Sequence, residues 1–181
     1  MGKLFVISGN SGAGKTTIMR ECMGNQKEIV SVTTRPPREN EIDGIDYYFL
    51  TQKQFEELYK NNDLAEYNEY EGHGYNYGVT KEELNEKLDA YNCYVIADYN
   101  GMQQFKELYE DCVTIFIYTS KEDAILNMIS REDKLHQVEK RIGTYENELE
   151  NKKCYDYAIR NDRGRMKKTL KDVESILVNL V

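Results

Sequence analysis

Gly9-Asn10-Ser11-Gly12-Ala13-Gly14-Lys15-Thr16 decides how this chain is read. It spells G-x-x-x-x-G-K-[ST], the phosphate-binding P-loop. Backbone N–H groups of such a loop wrap a phosphate. Lys15 brings a cation to the outer phosphate oxygens, and the Thr16 hydroxyl suits Mg2+. Just before the loop, Lys3-Leu4-Phe5-Val6-Ile7 is an apolar run of strand length. Just after it, Thr16 to Met23 fits a helix closed by Gly24-Asn25. Strand, loop and helix are the context the motif requires, and the helix N-terminus adds its dipole to the anion site.

The rest of the composition narrows the class. At 181 residues the chain suits one domain, with inserted subdomains at most. A formal net charge of −8 and a pI near 5.0 argue against a nucleic-acid backbone as partner. Any phosphate site must therefore be locally basic. No apolar run approaches the ~18–20 residues of a membrane span. Met1 to Val6 lacks the Ser or Thr of a myristoylation signal. The first apolar run ends in the P-loop, not in a signal-peptide cleavage site. Cys22, Cys93, Cys112 and Cys154 form no C-x-x-C pair and read as reduced thiols. His73 and His136 make no metal set. These features lead us to expect a cytoplasmic protein.

Beyond the P-loop the pattern alternates strand and helix, which argues for an α/β fold with a parallel sheet. Strands are expected at Glu28–Val32, Tyr47–Leu50, Leu64–Tyr70, Cys93–Asp98, Val113–Tyr118 and Tyr157–Arg160. Glu71 to Gly78 reads as a turn and a short return strand. Thr51 and Thr80 each open a capping box, starting helices to about Asn61 and Ala90. Further helices are expected over Gly101–Glu110, Lys121–Ser130, Val138–Lys152 and Gly164–Leu180. The architecture that follows is a five-stranded parallel sheet with flanking helices. Residues 33–90 form a small β-rich insertion between core segments 1–32 and 91–181, with a charged stretch at about 130–140.

A second segment is more specific than the P-loop. Ser31-Val32-Thr33-Thr34-Arg35-Pro36-Pro37-Arg38, followed by Glu41, Asp43-Gly44 and Asp46-Tyr47-Tyr48-Phe49, resembles the guanylate kinase family's T-T-R-x-P-R-x-x-E and G-x-D-Y-x-F segments. Leu64-Ala65-Glu66-Tyr67 looks like that family's acidic guanine-reading site. Tyr77-Gly78 looks like its phosphate-contacting pair, and Ile159-Arg160-Asn161-Asp162 resembles the segment near the adenine of ATP. The likeness covers nearly the whole chain.

The resemblance implies an enzyme that moves the γ-phosphoryl group of Mg·ATP to GMP or dGMP. Its ATP site would comprise Gly9, Ser11, Gly12, Ala13, Gly14, Lys15, Thr16, Thr17 and Asn161, with Thr16 toward Mg2+. Its GMP site would comprise Ser31, Arg35, Arg38, Glu41, Tyr47, Glu66, Tyr77, Val79 and Asp98. Lys15, Arg35, Arg131 and Arg141 would carry catalysis, the last two from a lid. The chemistry of the side chains agrees. Guanidinium groups match phosphate oxygens bidentately. A carboxylate such as Glu66 accepts both donors of the guanine edge, and Ser31 can donate to its O6. Asp98, ending an apolar strand, suits either Mg2+ or the guanine amino group.

Three positions depart from the family pattern. Val79 stands where a hydroxyl residue helps read guanine. Asn127 stands where a further lid arginine is usual, and Ile96 replaces the first Asp of an Asp-x-Asp strand end. Two other readings stay open at this point: a P-loop kinase for another nucleoside monophosphate, and a guanylate-kinase-like interaction module with little turnover.

Overall fold

Five consecutive buried residues, Leu4–Ser8, form the strand that delivers the chain into the P-loop. A computed structural model describes residues 2–70, 74–131 and 134–180. Along the chain run β1 (Leu4–Ser8), α1 (Lys15–Met23), β2 (Val32–Thr33), β3 (Tyr48–Phe49), α2 (Gln52–Lys60), β4 (Leu64–Tyr70), β5 (Tyr75–Thr80) and α3 (Lys81–Ala90). Then follow β6 (Cys93–Ile96), α4 (Tyr99–Leu108), β7 (Val113–Tyr118), α5 (Lys121–Ser130), α6 (Leu135–Gly143), α7 (Tyr145–Glu150), β8 (Tyr157–Arg160) and α8 (Met166–Asn179). The expected turn begins at residues 71–73, which lie outside the described residues, as do residues 132–133 of the charged stretch.

Two sheets result, with strand orders β6-β1-β7-β8 and β3-β2-β5-β4. β1 and β7 are nearly continuous apolar runs, as strands covered on both faces must be. β7 and β8 pair in parallel. The first sheet thus has four strands rather than the five expected. Glu28–Val32 was to supply the fifth, but it leaves the ladder after a single parallel bridge, Glu28 to Tyr94. Ile29 N–H still donates to the Tyr94 carbonyl at 2.8 Å. The next amide, Val30 N–H, is taken by the Glu83 carboxylate at 3.2 Å, and the chain moves on to pair in the second sheet as β2.

That buried Glu83 also explains a half-formed cap. Thr80 Oγ1 accepts the Glu83 N–H, as expected for the start of α3. The Glu83 side chain does not return the bond, because it faces Val30 N–H, Tyr48 OH and Lys87 instead. At α2 the box is complete, with Thr51 and Gln54 bonding reciprocally. The helix expected over Val138–Lys152 is interrupted: α6 ends at Gly143 and α7 starts at Tyr145, with Thr144 between them. Tyr145 points inward there and donates to the Thr119 carbonyl at 2.7 Å.

The chain divides into two compact units. One comprises Met1–Phe5, Asn25–Val95 and Asn100–Cys112. The other comprises Val6–Gly24, Ile96–Tyr99 and Val113–Val181. Within the first, Val32, Phe55 and Leu64 form a small core under α2, joined by Leu50 and Leu58. At the outer edge of its sheet, the Gln104 carboxamide accepts from Tyr67 N–H at 3.2 Å and donates to Tyr67 O at 3.0 Å. Within the second, Ala124, Met128, Val138 and Tyr145 hold α5, α6 and α7 together, and α8 packs along α1. All four cysteines are free thiols, with Cys93 and Cys112 buried. Among the described residues, no helix is long and apolar enough to cross a membrane.

Candidate functional site

The P-loop is held from three directions. Gly9 has φ +139°, and a Cβ there would collide with the Ile117 carbonyl. Only glycine lets β1 turn away this close to β7. Gly12 has φ +79°, and its Cβ would lie 2.7 Å from the Ala124 carbonyl oxygen of α5. Asn161, just after β8, donates from Nδ2 to Ala13 O at 2.9 Å. Asn10 accepts the Thr119 N–H at 3.3 Å. Lys15 Nζ folds back on the loop and reaches Gly9 O at 2.7 Å and Asn10 O at 3.1 Å. Gly14 caps α1 without a side-chain acceptor, so the first turn offers its amide N–H groups outward, beside the exposed Thr16 and Thr17. Ser11 is half-buried in the loop.

Charges gather around Lys15. Burial pulls its ammonium down to about 8, opposed by the Glu148 carboxylate and assisted by Arg131 and Arg141. Glu148 is raised above the ordinary carboxylate range, first by burial. A Thr144 hydroxyl bond of 2.8 Å, Lys15 and Arg141 work against that rise, and Asp98 adds to it. Arg131 ends α5, Arg141 lies in the last turn of α6, and Glu148 is on α7. Burial also pushes the Tyr155 hydroxyl to about 12, with Asp98 among its charged neighbours. Lys15, Arg131, Arg141 and Asp98, each singled out in the sequence, therefore share one electrostatic neighbourhood in the second unit.

The first unit carries a separate cationic cluster. Arg35 is largely covered and donates to Glu41 at 2.8 Å and to Pro36 O at 2.8 Å. Its guanidinium lies 5.4 Å from the Tyr47 ring centre and 5.8 Å from that of Phe49. Burial works against the charge, but the Glu41 and Tyr77 interactions outweigh it and raise the Arg35 pKa. Glu41 also accepts the Arg38 N–H at 2.9 Å, with the exposed Arg38 guanidinium 3.8 Å away. Tyr47 and Tyr77 meet edge-on with ring centres 6.0 Å apart. Thr33 ties this loop down, accepting Arg35 N–H at 3.1 Å and donating to Asn76 O at 3.0 Å.

Beside this cluster stand the base-side candidates. Glu66 and Val79 are opposite each other in the antiparallel ladder of β4 and β5. Residues so paired share a face of the sheet. Glu66 is only 7% exposed and Val79 is 0% exposed. Ser31 is half-buried, and its carbonyl accepts Tyr48 N–H at 2.9 Å.

Of the residues singled out by sequence, Arg35, Arg38, Glu41, Tyr47 and Tyr77 come together, and so do Lys15, Arg131, Arg141 and Asp98. Asn161 lies under the P-loop at 8% exposure, bound to Ala13 O. Sequence reasoning missed Glu148, because its approach to Lys15 depends on the break at Thr144. It also missed Phe49 as a stacking surface for Arg35, and the bond from Asn127 Nδ2 to Gly12 O at 2.8 Å. The sequence marked Asn127 only as a departure, standing where a further lid arginine is usual.

Comparison with known proteins agrees with this geometry. A family profile described as guanylate kinase matches residues 1–180. A guanylate kinase of Methylobacillus flagellatus is 32% identical over 182 residues, covering 97% of this chain and 88% of that protein. One from Lactobacillus acidophilus is 37% identical, covering 89% of this chain and 81% of the relative. Among solved structures, a guanylate kinase from Anaplasma phagocytophilum superposes with a TM-score of 0.73 at 27% identity. That match covers 98% of this chain and 85% of the other.

Proposed function

The chain belongs to the guanylate kinase family, and from that membership and its two cation sites we infer that it transfers the γ-phosphoryl group of ATP to GMP or dGMP. The products are ADP and GDP or dGDP. The observation that carries the reading is that one chain holds two distinct phosphate-suited cation sets. Lys15 with Arg131 and Arg141 is one, and Arg35 with Arg38, Tyr47 and Tyr77 is the other.

Phosphoryl transfer asks little covalent chemistry of the protein. Position and charge do most of the work. The P-loop amides and Lys15 hold the β- and γ-phosphates of the donor. Arg131 and Arg141 offset the charge that spreads over the transferring group. Arg35, Arg38, Tyr47 and Tyr77 hold the acceptor phosphate from the segment 33–90. Glu66 accepts from the guanine edge, and Ser31 donates to O6. Asn161 supports the loop on the adenine side.

A Mg2+ ion bound with ATP would neutralise phosphate charge. Among the described residues, no three His, Cys, Asp or Glu side chains gather as a metal cage. Such a cage is not needed, because Mg2+ keeps several waters and takes only one or two protein oxygens. The Thr16 hydroxyl suits that role, and Asp98 can act beside it.

The test is a coupled assay of ADP release with ATP, Mg2+ and each of GMP, dGMP, AMP, CMP, UMP and IMP. GMP and dGMP should give the highest kcat/KM. A preference for AMP or a pyrimidine nucleotide would overturn the acceptor assignment.

A further inference from the structure

Two successive carbonyls of the P-loop are held by side-chain amides. Gly12 O accepts from Asn127 Nδ2 at 2.8 Å, and Ala13 O accepts from Asn161 Nδ2 at 2.9 Å. No peptide bond among the described residues is cis. In a trans peptide the carbonyl of one residue and the N–H of the next point in opposite directions. Fixing Gly12 O on Asn127 therefore fixes the aim of the Ala13 N–H. That N–H points at Asn10 O, 3.3 Å away, and Lys15 Nζ reaches the same oxygen at 3.1 Å. An amide donor and an ammonium thus converge on the Asn10 carbonyl and close the loop on itself, and the Gly12–Ala13 peptide is part of that closure.

Asn127 is well placed for this task. It lies three residues after Ala124 on α5, so both face the loop. Ala124 presses directly on Gly12, leaving no room for a Cβ. The same helix therefore sets the position of Gly12 through Ala124 and its rotation through Asn127.

We propose that Asn127 is a positioning residue that fixes the Gly12–Ala13 peptide and with it the shape of the P-loop, and so sets affinity for ATP and ADP without touching them. This rests on reading the P-loop as the ATP site. A purely architectural Asn127 would change the melting temperature and leave nucleotide affinity alone.

The test uses the full chain with Asn127→Ala, Asn127→Ser and the equally shaped Asn127→Asp, whose carboxylate cannot donate to Gly12 O. ADP affinity is measured by calorimetry with Mg2+, alongside KM for ATP, KM for GMP and a thermal melt. Asn127→Ala and Asn127→Ser should weaken ADP binding about 5- to 10-fold and raise KM for ATP similarly, the effect of one lost hydrogen bond. KM for GMP should stay within about twofold of wild type, and Asn127→Asp should weaken ADP at least as much as Ala does. Wild-type ADP affinity in any folded variant would overturn the proposal, as would an equal rise in both KM values or loss of folding in all three. If the wild-type protein releases no ADP with GMP, only the acceptor reading fails, since the ADP titrations still decide on Asn127.

Discussion

Arg35 and Glu41 face each other across the acceptor loop, guanidinium nitrogen to carboxylate oxygen at 2.8 Å, with the Arg38 N–H on the second oxygen of Glu41 at 2.9 Å. One carboxylate thus gathers the donors of both arginines into a single forked site. Two oxygens of a phosphate can accept from a guanidinium fork in the same bidentate way. Arg38→Ala should raise KM for GMP by about tenfold or more, corresponding to roughly 1.5–3 kcal/mol for a charge-assisted contact. Arg35→Lys should do the same, because an ammonium loses both the fork and the stacking on Tyr47 and Phe49. KM for ATP should hardly move. Steady-state kinetics with each substrate varied in turn decides the matter, and an equal rise in both KM values would indicate a general loosening of the fold.

Lys15 bonds two carbonyls of its own loop and lies within the electrostatic reach of Glu148. Lys15→Met keeps the length of the side chain and removes its charge. Turnover should fall by at least about 100-fold, the scale of removing one donor aimed at transition-state charge. The melting temperature should not fall, because burying that ammonium already works against folding. Substantial kcat at saturating ATP would show that Lys15 is not the cation of the reaction.

The pH dependence follows from the same residue. In the folded protein Lys15 titrates at about 8, below its ordinary 10.5. Only the ammonium form attracts phosphate, so kcat/KM for ATP should decline as pH rises through about 8. Stability should move the other way. Between about 8 and 10.5 the unfolded chain holds a proton here that the folded chain has released, so this group's contribution to stability grows with pH across that window. A profile of kcat/KM for ATP that stays flat from about pH 7 to 9.5 would contradict the assignment.

Val79 has no exposed surface and sits opposite Glu66 on the sheet. Val79→Thr fits by shape but carries a hydroxyl into an enclosed place. It should destabilise the protein by about 1–3 kcal/mol and leave the ratio of kcat/KM for GMP to that for AMP unchanged. Thermal melts and paired kinetics check both halves. A rise in that ratio in a stable variant would mean that residue 79 opens to the base during binding.

Local patterns made most of this molecule legible in its sequence. The P-loop, the Thr51 box and the alternating strands each depend on a few neighbouring residues, and each is present in the structure. The Arg35–Tyr47 segment was also readable, because its donors lie close together in the chain. What escaped depends on distant partners. The expected fifth strand failed because Glu83, 53 residues away, takes the Val30 amide. The long helix broke because Tyr145 turns inward to Thr119, and that break brings Glu148 to Lys15. Asn127 could be noticed as a departure, but its contact with Gly12 spans 115 positions.

At the edge strand β4, the Gln104 carboxamide closes both backbone groups of Tyr67, much as one residue of a neighbouring strand would. An open strand edge is a template on which other chains can grow. Here that template is interrupted near its middle by a side chain from a helix, which cannot propagate a ladder. The exposed Tyr59 and Tyr67 rings stack edge-on beside it, with centres 4.9 Å apart, and would otherwise favour such growth. The consequence is colloidal rather than catalytic: this edge resists templated fibril growth in concentrated solution.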